Sequence, residues 1–402
     1  MKKSNNKISC RNLHSAEKKL IFCDKISSLF FISIAGFLIL SASCKKEETA
    51  PAPSAPPLNP QSVFTPRNKF YWPFDKTSIW NMPIGSNAIY KAADFGPLGL
   101  VYADAEYIYQ SSITDPLQPV YLPAGFGPPR VPAGITPSYV SIYLPDNYIV
   151  PDATLFPFST PNNAAAMIDP DSITYYELEP FTRPDGAGKV YAYNASRNGV
   201  TTQNIKGDGR WGAHFGSGLS TLGGSIRVGE INGSAPISHA LKLEFDTHMY
   251  WKNPVDASKS YRWPADNCDG NTANYGIYNT TNQSLAVGAL LAIPPDVTIT
   301  SLNLQTAQAR KIFYALQDYG AYIVDASGDG YKPNGGYSVL ICAEKKVIDT
   351  EFSFDGTPTE NVSWFNDFKA LINALKVVDN NTPVSIGGGG IPRQTMAPDF
   401  SN

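Results

Sequence analysis

Between Leu241 and Asp246, apolar and charged residues alternate one for one: Leu241, Leu243 and Phe245 against Lys242, Glu244 and Asp246. A period of two predicts a β-strand with one face on a core and the other in water. Further short β-type runs fall at 139–144, 165–168, 174–178, 189–193, 225–230, 240–245, 286–293, 321–325 and 338–342, punctuated by Gly, Pro, Asn and Asp. Charged residues make up only 17% of the chain, and 22 Tyr are present, a balance that favours strands and loops over long helices. No repeat of fixed period occurs. The expected fold is mainly β, a β-sandwich or jelly-roll-like body with a small α+β element of two helices near the C-terminus. The first helix is expected over 306–319, where Ala309, Ile312, Phe313, Leu316 and Tyr319 make one stripe and Gly320 takes the C-cap place. The second is expected over 364–377, with Ser363 as N-cap and Phe365, Phe368, Leu371, Ile372 and Leu375 buried.

The N-terminus carries a different message. Basic residues from Lys2 to Lys25 precede an uncharged apolar run, Ile26 to Leu40, which falls short of the ~20 residues of a spanning helix. Ser41, Ala42 and Ser43 then lead to Cys44. This is the shape of a lipoprotein signal, although Ser41 stands where leucine is usual. Cys44 is the expected lipidation site. The run Cys44-Lys45-Lys46-Glu47-Glu48 resembles the Bacteroidota-type signal of surface-exposed lipoproteins. That resemblance implies an outer-membrane, cell-surface location, with the membrane as a partner through the lipid. Residues 50–66 are rich in Pro, Ala and Ser, as an extended spacer is. The expected organisation is a signal peptide over 1–43, an anchor and spacer over 44–66, a β-rich domain over 67–385 with a sub-boundary near 160, and a loose Gly/Pro-rich tail over 386–402.

The whole chain has a net charge of −3 while its leader is basic, so the remainder is more acidic and nucleic acid is excluded as a partner. Beyond the leader and Cys44, the cysteines are Cys268 and Cys342. An oxidising exterior would allow a disulfide between them.

The centre of the chain is dense in glycine: Gly207 to Gly218, then Leu222 to Glu230, then Ile237 to Leu241. His214 and His239 can exchange protons near neutral pH, Glu230 can act as a general acid or base, and Arg227 or Arg210 can hold an anion. The candidate catalytic residues are therefore His239, His214, Glu230 and Arg227. The alternative is that the glycines mark turns and bulges and that the histidines are structural. Trp211, Trp263 and Trp80, with Arg210, are candidate substrate-binding residues, because aromatic faces stack on sugar rings; the same side chains would also fill a β-core. Asp325, Ser327 and Asp329, with Gly330 in the sixth place, have the spacing of a calcium loop, so calcium is the one cofactor suggested. Gly336 at the twelfth place excludes an EF-hand, and an Asx-rich turn is the alternative. No zincin motif, nucleophile elbow or phosphate loop is present.

Two stretches carry a second resemblance. They are Pro73-Phe74 with Ser78-Ile79-Trp80-Asn81 and Pro83-Ile84, and the ordered set Gly223-Gly224, Ile226-Arg227, Glu230, His239-Ala240-Leu241, Trp263-Pro264-Ala265 and Tyr319-Gly320. They resemble a group of secreted bacterial proteins found in carbohydrate-rich contexts. The resemblance implies an extracellular polysaccharide partner and no particular catalytic role. Two classes follow: a polysaccharide lyase or glycoside hydrolase, or a non-catalytic glycan-binding or structural lipoprotein. Convergence of His214, Glu230 and His239 on one pocket would favour the enzyme; scatter or burial would favour the binding or structural class.

Overall fold

The computed structural model describes residues 67–152, 162–186, 188–269, 278, 280–327, 336–352 and 362–400. The signal, Cys44, the spacer and Asp329 lie outside the described residues. The strands are β1 (Tyr90–Ala92), β2 (Leu98–Gln110), β3 (Leu117–Tyr121), β4 (Pro137–Tyr143), β5 (Ala165–Ile168), β6 (Thr174–Thr182), β7 (Val190–Asn194), β8 (Gln203–Asn204), β9 (Trp211–His214), β10 (Leu241–Phe245), β11 (Leu290–Ala292), β12 (Ala321–Ala326), β13 (Tyr337–Glu344) and β14 (Lys376–Val378). The helices are α1 (Ala307–Asp318), α2 (Lys345–Thr350) and α3 (Val362–Ala374). No described helix is long and apolar enough to cross a membrane.

The body is mainly β with few helices, as expected. Its strands join one mixed sheet of 13, in the order β1-β14-β11-β12-β10-β13-β2-β5-β6-β7-β3-β4 with β8 on β6, in place of the two facing sheets of a sandwich. The reason is β2. Its first half pairs parallel with β13 and its last residues pair parallel with β5, so one strand joins what would otherwise be two sheets.

On one face of the sheet, Leu241, Leu243 and Phe245 of β10 share a core with Val339 and Ile341 of β13 and with Ile312, Leu316, Phe368 and Leu371 of α1 and α3. Thr306 caps α1, its hydroxyl accepting from Ala309 N at 3.3 Å. The second helix begins before Ser363, so Ser363 is not its cap, and its expected last turn becomes β14.

The other face corrects the half-buried expectation for β10. Lys242 and Asp246 are fully buried and Glu244 nearly so. Asp104 and Glu106 of β2 and Glu177 and Glu179 of β6 are buried too. The strand alternation is real, but its charged side is covered: Lys242 meets Ser220 and Thr221 of the segment 209–225, and Asp246 accepts from His248. A bulge between Leu243 and Glu244 shifts the register, so that Leu243 pairs with Ile323 while Glu244 pairs with Asp325. The bulge thereby sets Asp325 beside Glu244.

Three further expectations change. Over 225–230 a single β-bridge, Ile226 to Ala343, stands in place of a strand and turns follow, with Gly224 and Gly229 at positive φ. Cys268 and Cys342 are not bridged. Cys342 belongs to the core on the polar side of the sheet and Cys268 to the helix-side core, so the sheet separates them. The tail, expected to be loose or draped over the surface, is held against residues 84–86: Gly85 N donates to Gly387 O, Ser86 N to Ile391 O and Arg393 N to Ile84 O, all at 2.8–2.9 Å.

Candidate active site on the polar face of the sheet

The floor of the site is an ionic knot. The Glu106 carboxylate, fully buried, accepts from the Lys242 ammonium and from the Ser225 hydroxyl, and lies 2.8 Å from His214 Nε2. Lys242 Nζ also donates to Thr221 O at 2.6 Å and Ser220 O at 3.3 Å. Burial would raise the Glu106 pKa, but Lys242 and His214 outweigh it and the carboxyl is held below its usual range. Glu106 and Lys242 are thus a true ion pair.

A strut stands beside the knot. Glu177 accepts from Ala213 N, Thr221 N, Leu222 N and the Ser220 hydroxyl at 2.6–3.0 Å, which ties the covering layer to β6. Gly212 makes this possible, since a Cβ there would lie 1.7 Å from Glu177 Oε2.

Around His214 the carboxyls are far less satisfied. Glu179 accepts from Phe215 N at 3.1 Å, Asp325 from Ala326 N at 2.8 Å, and Glu244 from the Cys342 thiol at 3.5 Å. Burial first, then the charges of neighbouring acids, pushes Glu179 and Glu244 well above the ordinary carboxyl range. Burial and the Glu106 charge raise Asp104 to about 7, against the opposing effect of His214. His214 moves up to about 9: burial and Lys242 lower it, and the carboxylates of Asp325 and Glu106 outweigh them. Burial also keeps the Cys342 thiol protonated, so it donates to Glu244. Asp104, Glu179, Glu244 and Asp325 come from four strands; Glu179 and Asp325 meet His214, and the charge of buried Arg130 reaches Glu179 and Asp104.

No family model, curated protein or solved structure matches this chain. Its chemistry therefore rests on these residues.

The catalytic candidates named from the sequence fall into two groups. His214 belongs to the acid cluster. Glu230, His239 and Arg227 form a second group, and the three-way convergence of His214, Glu230 and His239 does not occur. His239 Nδ1 faces Ala240 O at 2.9 Å and Nε2 faces both Glu230 oxygens at 3.1 Å. Both partners are acceptors, so the ring donates twice and is an imidazolium. Burial lowers its pKa, yet Glu230 outweighs this and the pKa is raised. Arg227 donates to Glu344 Oε1 at 3.4 Å and stacks 4.6 Å over Phe70, and its backbone N–H reaches Glu230 Oε2 at 2.7 Å. Every charge here has a partner, as in a structural brace. Because the folded His239 pKa lies above its ordinary 6.5, the brace stabilises fully below that value and weakens as pH rises through the folded pKa. Substituting His239→Gln should cost about 1.5–3 kcal/mol at pH 5.5 and progressively less at higher pH, measured by urea unfolding.

The aromatic candidates separate in the same way. Trp80 is 1% exposed, donates to Gly209 O at 2.7 Å and packs edge-on to Tyr322, so it is core and not a sugar platform. Trp211, half-buried, lines a cavity of about 350 Å³ with Arg197, Thr202 and Asp208. It opens β9, so His214 lies three residues, ~10 Å, along the same strand. Arg210 donates to Pro264 O at 2.6 Å and pairs with Asp266, and the half-buried Trp263 packs against the core beside it.

Of the suggested calcium loop, Asp325 and Ser327 are described and Asp329 lies outside the described residues. Ser327 shares its hydroxyl with that of Ser338 at 2.7 Å, whereas Asp325 turns to His214, with Nδ1 and Oδ2 3.6 Å apart. The carboxyl groups of Asp104, Glu106, Glu179 and Glu244, and Lys242, were not expected as site residues. The one signal for them was a charged pair at i and i+2 within a β-type segment, occurring at Asp104/Glu106, Glu177/Glu179 and Lys242/Glu244.

Proposed function

We propose that this protein is a glycoside hydrolase acting on uncharged extracellular polysaccharide, held at the outer-membrane surface by lipid on Cys44. The observation that carries this reading is a cluster of buried carboxyls, Glu179 and Asp325 against His214 with Asp104 and Glu244 in the same field, that has few donors to satisfy it. Unpaired buried carboxyls destabilise a fold, and such groups concentrate where acid–base work is done. Glycosidic cleavage needs one carboxyl that donates a proton and one carboxylate that attacks or activates water. Asp104, raised to about 7, suits the acid. Glu244 lies on β10, Asp104 on β2, and β13 with Cys342 runs between them, so the two acids flank one strand. The Asp104 charge helps hold Glu244 above the ordinary carboxyl range.

Cleavage by β-elimination fits less well. A lyase needs a cation open to the uronate carboxylate, whereas Arg227 is spent on Glu344 and Phe70 and Lys242 on Glu106. A non-catalytic glycan-binding role draws support from the depth of the cluster, with His214 only 1% exposed.

The purified protein, incubated with a panel of neutral and uronate-containing polysaccharides, should release reducing ends from a neutral member and no unsaturated ends from any. Absence of product throughout would leave the binding role standing and remove the enzyme.

A further inference from the structure

We propose that Glu179, His214 and Asp325 bind one divalent transition-metal ion through two carboxylates and an imidazole. Their ligand atoms all lie within 4.8 Å of one another. The decisive atom is His214 Nδ1. It is buried, in a side chain 1% exposed, and has no hydrogen-bond partner. It points at Asp325 Oδ2 from 3.6 Å, too far for a hydrogen bond. Two ligands held ~2.1 Å from a tetrahedral ion stand ~3.4 Å apart, so this separation suits a shared cation.

The surroundings match. Glu106 engages the opposite ring nitrogen at 2.8 Å, with Lys242 Nζ 3.0 Å from the same nitrogen; the Glu106 contact is the carboxylate–histidine arrangement that orients a metal-bound imidazole. Lys242 and Ser225 hold Glu106 in turn. Gly216 lets the chain pass Asp325 closely, since a Cβ there would be 2.4 Å from Oδ1. Asp325 and Glu179 face each other with one backbone N–H apiece, and a cation would offset their repulsion. One imidazole with two carboxylates suits zinc or manganese better than calcium, and three protein ligands leave a coordination position open. This site shares Asp325 with the loop suggested from the sequence and takes neither Ser327 nor Asp329 as a ligand.

The test uses the full chain, stripped with chelator and titrated with Zn²⁺ and, separately, Mn²⁺ by calorimetry, with thermal unfolding alongside. One saturable site that raises the melting temperature is expected. Asp325→Asn, Glu179→Gln and His214→Gln should each weaken it by about 100-fold or more, Glu106→Gln by about 10–100-fold, and exposed Asp256→Asn not at all. Circular dichroism identifies variants that fold, and any one of the three ligand variants suffices. A stripped wild-type protein with no saturable site for either ion overturns the proposal, as does a site that the ligand variants leave intact. Glycan cleavage is scored separately, so protein that binds the ion but cleaves nothing supports this inference and overturns only the hydrolase reading.

Discussion

Asp104→Asn should make the folded protein more stable than the wild type above neutral pH while abolishing turnover. In the unfolded chain Asp104 ionises near its ordinary 3.8, whereas in the fold it holds its proton up to about 7. For a raised pKa, the stabilising contribution is complete below the unfolded value and is lost as pH rises through the folded one. The wild type therefore loses stability between about pH 4 and pH 7 that the amide variant keeps. A difference of roughly 3 units at ~1.4 kcal/mol each sets an upper bound of ~4 kcal/mol; relaxation and neighbouring acids bring the expected gap to about 2–4 kcal/mol at pH 8. Urea unfolding in chelator, from pH 4 to 8, reads it directly. A constant difference across that range would mean that Asp104 ionises normally and has no special role.

The second large effect belongs to Lys242. Its ammonium pairs with Glu106 in a site with no solvent exposure for either side chain. Removing one member of such a pair strands the other's charge, which costs about 3–5 kcal/mol, whereas replacing both by neutral groups costs far less. Lys242→Met should fall in that range. Glu106→Gln placed in the same chain should recover most of the loss, and a double-mutant cycle would report the coupling between them. If Lys242→Met does not fold, the recovery appears as folding of the double variant. A cost below about 1 kcal/mol for Lys242→Met would show that water reaches Glu106 and that the floor of the site is open.

Where the physics is local, the sequence was a good guide. The stripe from Ala309 to Leu316 needs only helical periodicity to place α1, and Thr306 caps it as the residue type predicts. The apolar runs at 165–168 and 321–325 became strands for the same reason. The charged face of β10 was misjudged because alternation says that two faces differ, not that one is wet. A strand pattern carries no record of the layer that later covers it, and over Lys242 that layer is the glycine-rich segment 209–225. β2 was missed altogether: Ala103-Asp104-Ala105-Glu106 has little strand propensity of its own, and its conformation comes from parallel pairing on both sides. His214 was legible as a candidate because only four histidines occur in the chain. Its partners were not, since they arrive from strands far apart in sequence. The grouping of His239 with Glu230, by contrast, spans nine residues and was found, although its fully paired geometry makes it a brace.

The central claim is that glycan cleavage resides in the acid cluster of the sheet and not in the Glu230–His239 group. Initial rates of reducing-end release by wild type, Asp104→Asn, Glu244→Gln and Glu230→Gln, each checked for folding, test it most directly. The account predicts that Asp104→Asn and Glu244→Gln each lose a factor of at least about 100, the scale of general acid–base catalysis, while Glu230→Gln keeps most of its activity. Full activity in Asp104→Asn and Glu244→Gln, with loss in Glu230→Gln, would contradict it.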